Sequence, residues 1–424
     1  MIYNGSSYNE NWKISKLAEL GTFARGVSKH RPRNDPKLFE NGKYPLVQTG
    51  DVKEATLYLS KHEQEYGDFG LKQSKLWNTG TLCITIAANI AETAILAYPM
   101  CFPDSIVGFS AYPEKSSEEF MYYIFEYIKK SIQNAATGSI QDNINLEYLM
   151  SLDFKIPEKK YQDMIVLILS SIDRKILINN AINDNLEQQL MLLYDYWFTQ
   201  FDFPDNDGNP YQTSGGKMVW NDTLKRNIPE NWKVQSVISN CLSSIIKPGV
   251  EIFNTKTYLA TADVKGTSIS TGTIVDYDGR ESRANMQPSI NSVWFAKMKN
   301  SIKHLYLNKE MQPIISSCIL STGFCGLQCN EISFEYIASY VSNAYFEIHK
   351  DMLAHGATQE AVNNDDLAGV HIIIPEDTVL RAYHEATQAI YAQISKNICE
   401  NQELVKLRDW LLPMLMNGQA TISD

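Results

Sequence analysis

The chain lacks the features that direct a protein into or across a membrane. No run of about 18 apolar residues occurs in its 424 residues, and the N-terminal MIYNGSSYNENW has neither a basic region nor an apolar run. The seven cysteines are an odd number without CxxC spacing, so we expect reduced thiols and a cytoplasmic protein. Cys318, Cys325 and Cys329 have no histidine at ligand spacing, and we expect them to be buried apolar side chains and not metal ligands.

The motifs of the common enzyme classes are also missing. GxGxxG, GxxxxGK[ST], HExxH and GxSxG do not occur, nor does the Asn/Asp-Pro-Pro-Tyr/Phe loop that an amine methyltransferase would need. Asp104, Glu158 and Lys160 are the nearest approach to a nuclease motif, but their spacing is too loose, and Glu158 and Lys160 suit the first turn of a helix. We therefore expect a protein that binds without catalysing and that holds no metal or cofactor.

The chain also carries no excess of positive charge. The formal net charge is −11, which by itself argues against nucleic acid as a partner. The negative charge is spread over the whole chain, and residues 1–157 alone carry 16 basic and 18 acidic side chains. A DNA-binding hypothesis must therefore depend on local basic patches.

The chain is organised around the stretch from Glu158 to Phe203, which contains no proline or glycine. Apolar residues recur there at alternating steps of four and three, as in a coiled-coil seam: Ile165, Leu169, Ile172, Ile176, Leu186, Leu190, Leu193 and Trp197. Asn179 and Asn183 occupy seam positions in the middle, where a polar side chain fixes register or partner choice. A helix of this length would span roughly 60 Å, so we expect a strut.

A second stretch of this kind runs from Thr378 to about Met416, with Pro413 in its last turn. Ile172, Ile176 and Asn179 recur there 222 positions later (401 minus 179) as Ile394, Ile398 and Asn401. The seam that we expect between the helices, or toward a partner, comprises Ile172, Ile176, Asn179, Asn183, Leu186, Leu190, Ile394, Ile398, Asn401, Arg408 and Leu412.

The sequence outside the helices is repeated as well. Asn11-Trp12-Lys13 is echoed by Asn231-Trp232-Lys233, and Thr49-Gly-Asp51-Val52 by Thr261-Ala-Asp263-Val264. We infer a duplicated α+β unit. The expected segments are a first domain at 1–157, a long helix at 158–203, a linker at 204–229, a second domain at 230–375 and a second long helix at 376–424. Within the first domain we expect strands at 44–52, 82–88 and 95–98, a helix at 118–133 and a strand ending at Ile156.

Loops supply the candidate binding residues. The most basic loop carries Arg25, Lys29, His30, Arg31 and Arg33, which can reach phosphates or base edges, although a solvated charged loop is the simpler interpretation. A polar loop carries Thr137, Ser139, Gln141 and Asn143, which ordinary turn chemistry would also explain. In the second half the candidates, each weak alone, are Lys247, Lys265, Arg280, Arg283, Lys297, Lys299 and Lys303.

With these features together, the chain resembles the DNA-specificity subunits of type I restriction–modification enzymes. The likeness lies in Ile172-Asp-Arg-Lys-Ile176, Leu193-Tyr-Asp-Tyr-Trp-Phe198 and Leu407-Arg-Asp-Trp-Leu-Leu-Pro-Met-Leu-Met-Asn-Gly418, together with the Trp12 and Trp232 openings. The resemblance implies two target-recognition domains separated by two long antiparallel coiled-coil helices in an internal pseudo-twofold repeat. Each domain would read one half of a split double-stranded DNA target.

The resemblance also implies partners. The helices would dock methyltransferase subunits, two of them, which carry the catalytic site for adenine methylation, and an ATP-dependent restriction and translocase subunit would join the complex. Two alternatives stay open. The chain could serve a related system whose methyltransferase and nuclease are fused in one partner, or it could be a scaffold whose duplicated domains bind protein and not DNA.

Overall fold

The structure, a computed structural model, describes residues 4–138, 146–356 and 360–422, with the side chains of 135–138 left out. The chain divides into two compact units. The first unit contains Met1–Ile176 and Leu404–Asp424, and the second contains Leu177–Glu403. Both divisions fall inside the long helices and not at the ends of the predicted domains, because each helix contributes one part to each unit.

The first unit is a mixed α+β structure. Its helices are α1 (Leu17–Leu20), α2 (Thr49–Glu54), α3 (Asp68–Lys72), α4 (Glu118–Gly138), α5 (Leu146–Ser151) and the first long helix α6 (Lys159–Tyr194), of which residues up to 176 belong here. Its strands are β1 (Lys13–Lys16), β2 (Gly21–Arg25), β3 (Tyr44–Leu46), β4 (Tyr58–Leu59), β5 (Gln64–Tyr66), β6 (Leu76–Trp77), β7 (Leu82–Thr85), β8 (Thr93–Leu96), β9 (Met100–Cys101), β10 (Ile106–Ala111) and β11 (Asp153–Ile156).

The second unit has the same character. Its helices are α7 (Gln312–Ser317), α8 (Phe334–Ser342), α9 (Ala344–Met352) and the second long helix α10 (Asp377–Met416), of which residues from 404 onward belong to the first unit. Its strands are β12 (Met218–Asn221), β13 (Arg226–Pro229), β14 (Lys233–Ser236), β15 (Ser243–Ile245), β16 (Lys256–Leu259), β17 (Val264–Lys265), β18 (Ser268–Ile269), β19 (Thr273–Val275), β20 (Ala284–Met286), β21 (Ser292–Ala296), β22 (His304–Leu307), β23 (Cys318–Ser321), β24 (Phe324–Cys329) and β25 (His371–Ile374).

The two units repeat one sheet topology. The larger sheet has the order β2-β10-β7-β8-β4 in the first unit and β15-β24-β21-β22 in the second. The smaller sheet has the order β5-β3-β9-β6 in the first and β19-β16-β23-β20 in the second, and its central pair, β3 with β9 or β16 with β23, is parallel in both. The pairs β1–β11 and β14–β25 are antiparallel in matching register, Lys13 with Ile156 and Lys233 with Ile374. The fold therefore contains the internal repeat that the sequence predicts.

Burial follows the same plan in both units. The four residues of β7 and the five of β21 are all buried, because both faces of the larger sheet are covered. Helix α4 packs Phe120, Ile124 and Phe125 into the first unit's main core, and α8 packs Phe334, Ile337 and Val341 into the second's. The strand ends and the loops beyond them remain at the surface, where binding residues can lie.

Three segments differ from the predicted elements. The expected strand at 44–52 ends at Leu46 and is followed by α2, because the Asp51 carboxylate accepts the Gln48 N–H at 2.7 Å and caps a helix. The equivalent Asp263 accepts the Ala260 N–H at 2.8 Å and starts a short 3₁₀ helix. The first long helix, α6, ends at Tyr194, before the predicted end at 203, and a π-helical turn covers Asp195–Thr199.

The third difference is in the predicted linker at 204–229. Its proline, glycine and asparagine residues form turns, but β12 and β13 pair as an antiparallel hairpin between them. Ile228 is buried in the core of the second unit, and the ring of Tyr211 stacks on Phe203 with centroids 4.7 Å apart. The segment is thus part of the folded second unit.

Candidate nucleic-acid interface

The basic loop, residues 25–37, leaves the end of β2 on the first unit. Its start is fixed by two backbone hydrogen bonds, from Gly26 N–H to Ile106 O at 2.8 Å and from Val27 N–H to Phe102 O at 3.1 Å. A Cβ on Gly26 would lie 2.2 Å from Pro103 O, so glycine alone fits this approach. The loop is therefore anchored beside the β9–β10 turn.

Asp104 on that turn organises the arginines of the basic loop. Its carboxylate oxygens lie 2.6 Å from Arg33 Nη2 and 3.7 Å from Arg31 Nη2. Arg31 Nη1 also donates to the Ser28 and His30 carbonyl oxygens, at 2.6 and 2.8 Å. Both side chains are still about half exposed. Because a guanidinium carries five donors, each arginine is held in place and keeps N–H groups for a ligand.

The other candidates on the basic loop have different surroundings. Arg25 and Lys29 are exposed, and within the described parts of the chain no carboxylate forms a salt bridge with either. His30 instead bonds to Asp35, Nε2 to Oδ2 at 2.7 Å. That bond, with a second from the Lys37 N–H, lowers the pKa of the Asp35 carboxyl. His30 therefore helps to shape the loop.

The predicted polar loop is not covered by the structure. Ser139, Gln141 and Asn143 lie outside the described residues, and Thr137 belongs to α4 without a described side chain. Their part in binding stays a prediction.

The second unit has a loop in the place of the basic loop. It leaves the end of β15, and the Ile246 N–H donates to Gly326 O at 2.8 Å, as Gly26 does to Ile106. This loop offers Lys247, which is exposed, but also Ile252, whose surface is 84% exposed. The two units thus present one basic and one largely apolar loop from the same point of the fold.

Three cationic candidates of the second unit meet around the β23–β24 turn at Gly323. A Cβ on Gly323 would lie 2.9 Å from Thr261 Cγ2 and 3.8 Å from Arg283 Nη2. The Lys297 N–H donates to Gly323 O at 2.9 Å, and Lys303 Nζ donates to Thr261 O at 2.5 Å. We call Arg283, Lys297 and Lys303 the basic cluster.

The remaining cationic candidates are not part of the basic cluster. Lys299 forms a salt bridge with Glu360 at 2.6 Å. Arg280 donates to Tyr277 O, and its guanidinium lies 3.9 Å from the centroid of that ring. Lys265, on β17, and Lys247 are exposed.

One pair of charged residues in each unit was not found by the sequence reasoning. Phe125-Glu-Tyr-Ile-Lys129 on α4 recurs as Phe346-Glu-Ile-His-Lys350 on α9, 221 positions later (347 minus 126). Lys129 and Lys350 both form buried or half-buried ion pairs beside the hairpin of the larger sheet. The shift of 221 positions lies within the range of 212 to 222 shown by the other repeated segments. This shift was the sequence signal that could have identified the glutamate–lysine pairs.

The two long helices contact each other within both units. In the first unit, Arg408 Nη1 lies 3.0 Å from Asp173 Oδ1, and the Tyr123 OH donates to Asp173 Oδ2 at 2.7 Å. Burial would lower the pKa of the Arg408 guanidinium, but Asp173 and Asp409 raise it above its ordinary value. Ile172 and Ile176 are buried and Leu412 half-buried. Here the two helices are joined by a charged contact.

In the second unit the seam contains asparagines. Asn179 Nδ2 donates to Asn401 Oδ1 at 2.9 Å, and Asn397 Nδ2 donates to Asn183 Oδ1 at 2.8 Å. As residue numbers rise on α6 they fall on α10, so the helices are antiparallel. Leu190 and Ile394 are buried, with Leu186 and Ile398 half-buried beside them. The equivalent residues 179 and 401 bond to each other, as expected where two antiparallel copies of one helix meet.

Neither metal ligands nor a membrane helix can be found in the parts that the structure describes. No group of three or more His, Cys, Asp or Glu side chains there could hold a metal ion. No helix within the same ranges is long and apolar enough to cross a membrane.

Comparison with known proteins shows a likeness to one family. Residues 9–188 match the model of the type I restriction modification DNA specificity domain. The type I restriction enzyme MjaIX specificity subunit of Methanocaldococcus jannaschii is 22% identical over 436 aligned positions, which cover 98% of this chain and 95% of that protein. The HindI specificity subunit of Haemophilus influenzae is 23% identical over 69% of this chain and 74% of its own length.

A solved structure has the same fold. The crystal structure of a type I restriction–modification S subunit from M. genitalium aligns over the full length of both chains with a TM-score of 0.51 and 14% sequence identity. At that identity the likeness concerns the arrangement of secondary structure alone.

Proposed function

We propose that the chain is a specificity subunit of the type I restriction–modification kind and that it reads a split DNA target, since residues 9–188 match the DNA specificity domain and a specificity subunit is 22% identical over 98% of the chain. Each unit would read one half-site, and the base pairs between the half-sites would go unread. The observation that supports this proposal most directly is the duplication, since the two units share the order and direction of their sheets. A duplicated reader suits a target with two parts.

The loops support recognition of DNA over recognition of protein. On the first unit, Asp104 holds Arg31 and Arg33 in fixed positions, and oriented guanidinium groups suit bidentate contacts with guanine or phosphate. On the second unit, the side chains of Arg283 and Lys303 lie near the turn at Gly323, and the backbone of Lys297 is bonded to that turn. Local cationic surfaces of this kind bind phosphate even when the whole chain is acidic.

The long helices are proposed to set the spacer and to dock partner subunits. Tyr196 and Trp410 occupy corresponding positions in Leu193-Tyr-Asp-Tyr196 and Leu407-Arg-Asp-Trp410, and their surfaces are 38% and 58% exposed. An exposed aromatic side chain at the same place in each repeat supports docking of two copies of one partner. We propose methyltransferase subunits for this role, with an ATP-dependent restriction and translocase subunit joining them. Methylation and cleavage would be carried by these partners.

The direct test is to co-express the chain with the methyltransferase subunit encoded beside it and to map modified adenines across the host genome by single-molecule sequencing. A split motif with a fixed unread spacer is the expected result. A stable complex that modifies no adenine would contradict the proposal and favour an assembly scaffold.

Removing one equivalent heptad from each long helix should shorten the preferred spacer. Seven helical residues correspond to about 10 Å, and B-DNA rises about 3.4 Å per base pair, so we expect a spacer about three base pairs shorter. Both half-sites should be unchanged, because the loops that read them are untouched. The genome map of modified adenines measures both quantities, and an unchanged spacer would contradict the role of the helices as a ruler.

Replacing Arg25 and Lys29 together with alanine should weaken binding to every DNA sequence alike. Both side chains are exposed on the basic loop. If each contacts one phosphate, the slope of log affinity against log salt should become less steep by about two. Fluorescence anisotropy over a salt series measures this slope.

Lys217→Ala is the control, because Lys217 is an exposed lysine bonded to Glu230 on the hairpin of β12 and β13. A slope equal to that of the unmodified chain would place the basic loop away from DNA.

A further inference from the structure

In each unit, the glutamate and the lysine of the repeated Phe-Glu-x-x-Lys segment contact the equivalent hairpin of the larger sheet. The hairpin is β7–β8 in the first unit and β21–β22 in the second, with turns at 86–92 and 297–303. In the second unit this turn carries Lys297 and Lys303 of the basic cluster. Its position therefore bears on recognition.

The contacts in the second unit clamp the hairpin from both strands. The Glu347 carboxylate bonds to His304, the first residue of β22, with Oε1 2.9 Å from Nε2. Lys350 Nζ lies 2.6 Å from the other carboxylate oxygen and donates to the carbonyl of Ala296, the last residue of β21, at 3.3 Å. The Lys350 side chain is fully buried. The base of the turn is thus fixed to α9.

The tip of the same turn is held as well. Asn300, which has a positive φ of 55°, donates its N–H to Asp351 Oδ2 at 3.1 Å. Lys299 is bound to Glu360 through both its backbone N–H and its side chain. The tip of the turn is therefore bonded both to α9 and to the segment that follows α9.

The first unit repeats the arrangement with different partners. The hydroxyl of Thr93, the first residue of β8, donates to Glu126 Oε1 at 3.0 Å. Lys129 Nζ lies 2.6 Å from Oε2 of Glu92, the last residue of the turn, and 3.8 Å from Glu126. Gln133, one turn further along α4, donates to the Ile90 carbonyl at 3.0 Å. In both units the glutamate binds the start of the return strand, and the lysine binds an edge of the turn.

Stability alone would not require this chemistry. A buried ion pair costs desolvation that apolar side chains of similar volume avoid, so its presence is weak evidence of added stability, and in some proteins such a pair serves to fix one geometry. A glutamate and a lysine occur at these positions in both copies, buried and 2.6 Å apart in the second unit and about a quarter exposed and 3.8 Å apart in the first, although the residues around them differ. On the basis of the proposed function, we propose that Glu126–Lys129 and Glu347–Lys350 are positioning pairs that set the orientation of the turns at 86–92 and 297–303, and that both turns take part in recognition. They would govern discrimination within a half-site more than affinity for DNA.

The test uses the complex of the chain with its methyltransferase subunits and a set of duplexes that differ from the target by one base pair in either half-site. Glu347→Gln with Lys350→Met removes both charges of the second unit together, so neither is left buried alone. Lys129→Met alters the more exposed pair of the first unit. Lys217→Met is the matched control. It breaks an exposed ion pair, Lys217 Nζ to Glu230 Oε1 at 2.7 Å, that belongs to neither the β7–β8 nor the β21–β22 hairpin.

Each variant should lose discrimination in one half-site only. We expect methylation of single-mismatch duplexes to rise about tenfold relative to the target in the affected half, as when one base contact is lost. The two variants should affect opposite halves, and in each the untouched half reports that the complex is folded and assembled. Discrimination equal to that of the unmodified complex, or an equal loss in both halves, would overturn the positioning role. If the unmodified complex methylates no split sequence, the proposed function itself fails.

Discussion

Replacing Arg408 with methionine should lower the free energy of unfolding of the chain by about 3–5 kcal/mol, the usual cost of breaking a buried ion pair from one side. Arg408 lies on the second long helix, and its partner Asp173 on the first has a side chain only 4% exposed. Without the guanidinium, the Asp173 carboxylate would keep the Tyr123 hydroxyl as its hydrogen-bond donor and would have no cation. Urea denaturation followed by tryptophan fluorescence measures the loss.

The double variant Asp173→Asn with Arg408→Met separates charge from packing. An asparagine oxygen still accepts from the Tyr123 hydroxyl, but no charge is buried, so most of the lost stability should return. If the double variant is as unstable as Arg408→Met, the loss arises from the missing arginine side chain and not from an uncompensated aspartate. The same comparison tests whether this contact links the helices energetically.

The parts of the fold that sequence could predict are those set by local periodicity. The long helices follow from heptad spacing and from the lack of glycine and of internal proline other than Pro413, and the duplication follows from similar shifts, 212 to 222 positions, between repeated segments. Asn179 and Asn401 could be assigned to a seam for the same reason. Their direct hydrogen bond could not, because it depends on how two helices far apart in sequence are aligned.

Other elements depend on contacts that a pattern does not contain. Thr49–Val52 has the composition of a strand, but a single capping carboxylate makes it helical. The segment 204–229 has linker composition, yet burial of Ile228 holds its hairpin in a core. Among the candidate cations, only the structure shows that Arg283, Lys297 and Lys303 lie around the turn at Gly323, whereas Lys299 and Arg280 contact other segments.

Phe198→Ala should destabilise the second unit by about 3–5 kcal/mol, as expected for deletion of a large buried aromatic side chain. Phe198 is 2% exposed, and its ring centroid lies 4.6 Å from Tyr336, 4.9 Å from Tyr383 and 5.2 Å from Tyr194. These residues come from the long helices and from α8, so the ring joins three elements of one core. The π-helical turn at Asp195–Thr199 places Trp197 and Phe198 in that core together. A thermal unfolding scan or urea titration would measure the loss.

Tyr196→Ala, two residues away on the same turn, is the control. Tyr196 is 38% exposed, so its removal should change stability by less than about 0.5 kcal/mol. If the docking proposal holds, this variant should instead bind the methyltransferase subunit more weakly, which size-exclusion chromatography of the mixed subunits can measure.

A stable Phe198→Ala chain would contradict the assigned role of the aromatic core. Unchanged binding by Tyr196→Ala would place the docking surface elsewhere on the helices. Because the two residues share one turn, opposite effects would separate the face that holds the unit together from the face that meets a partner.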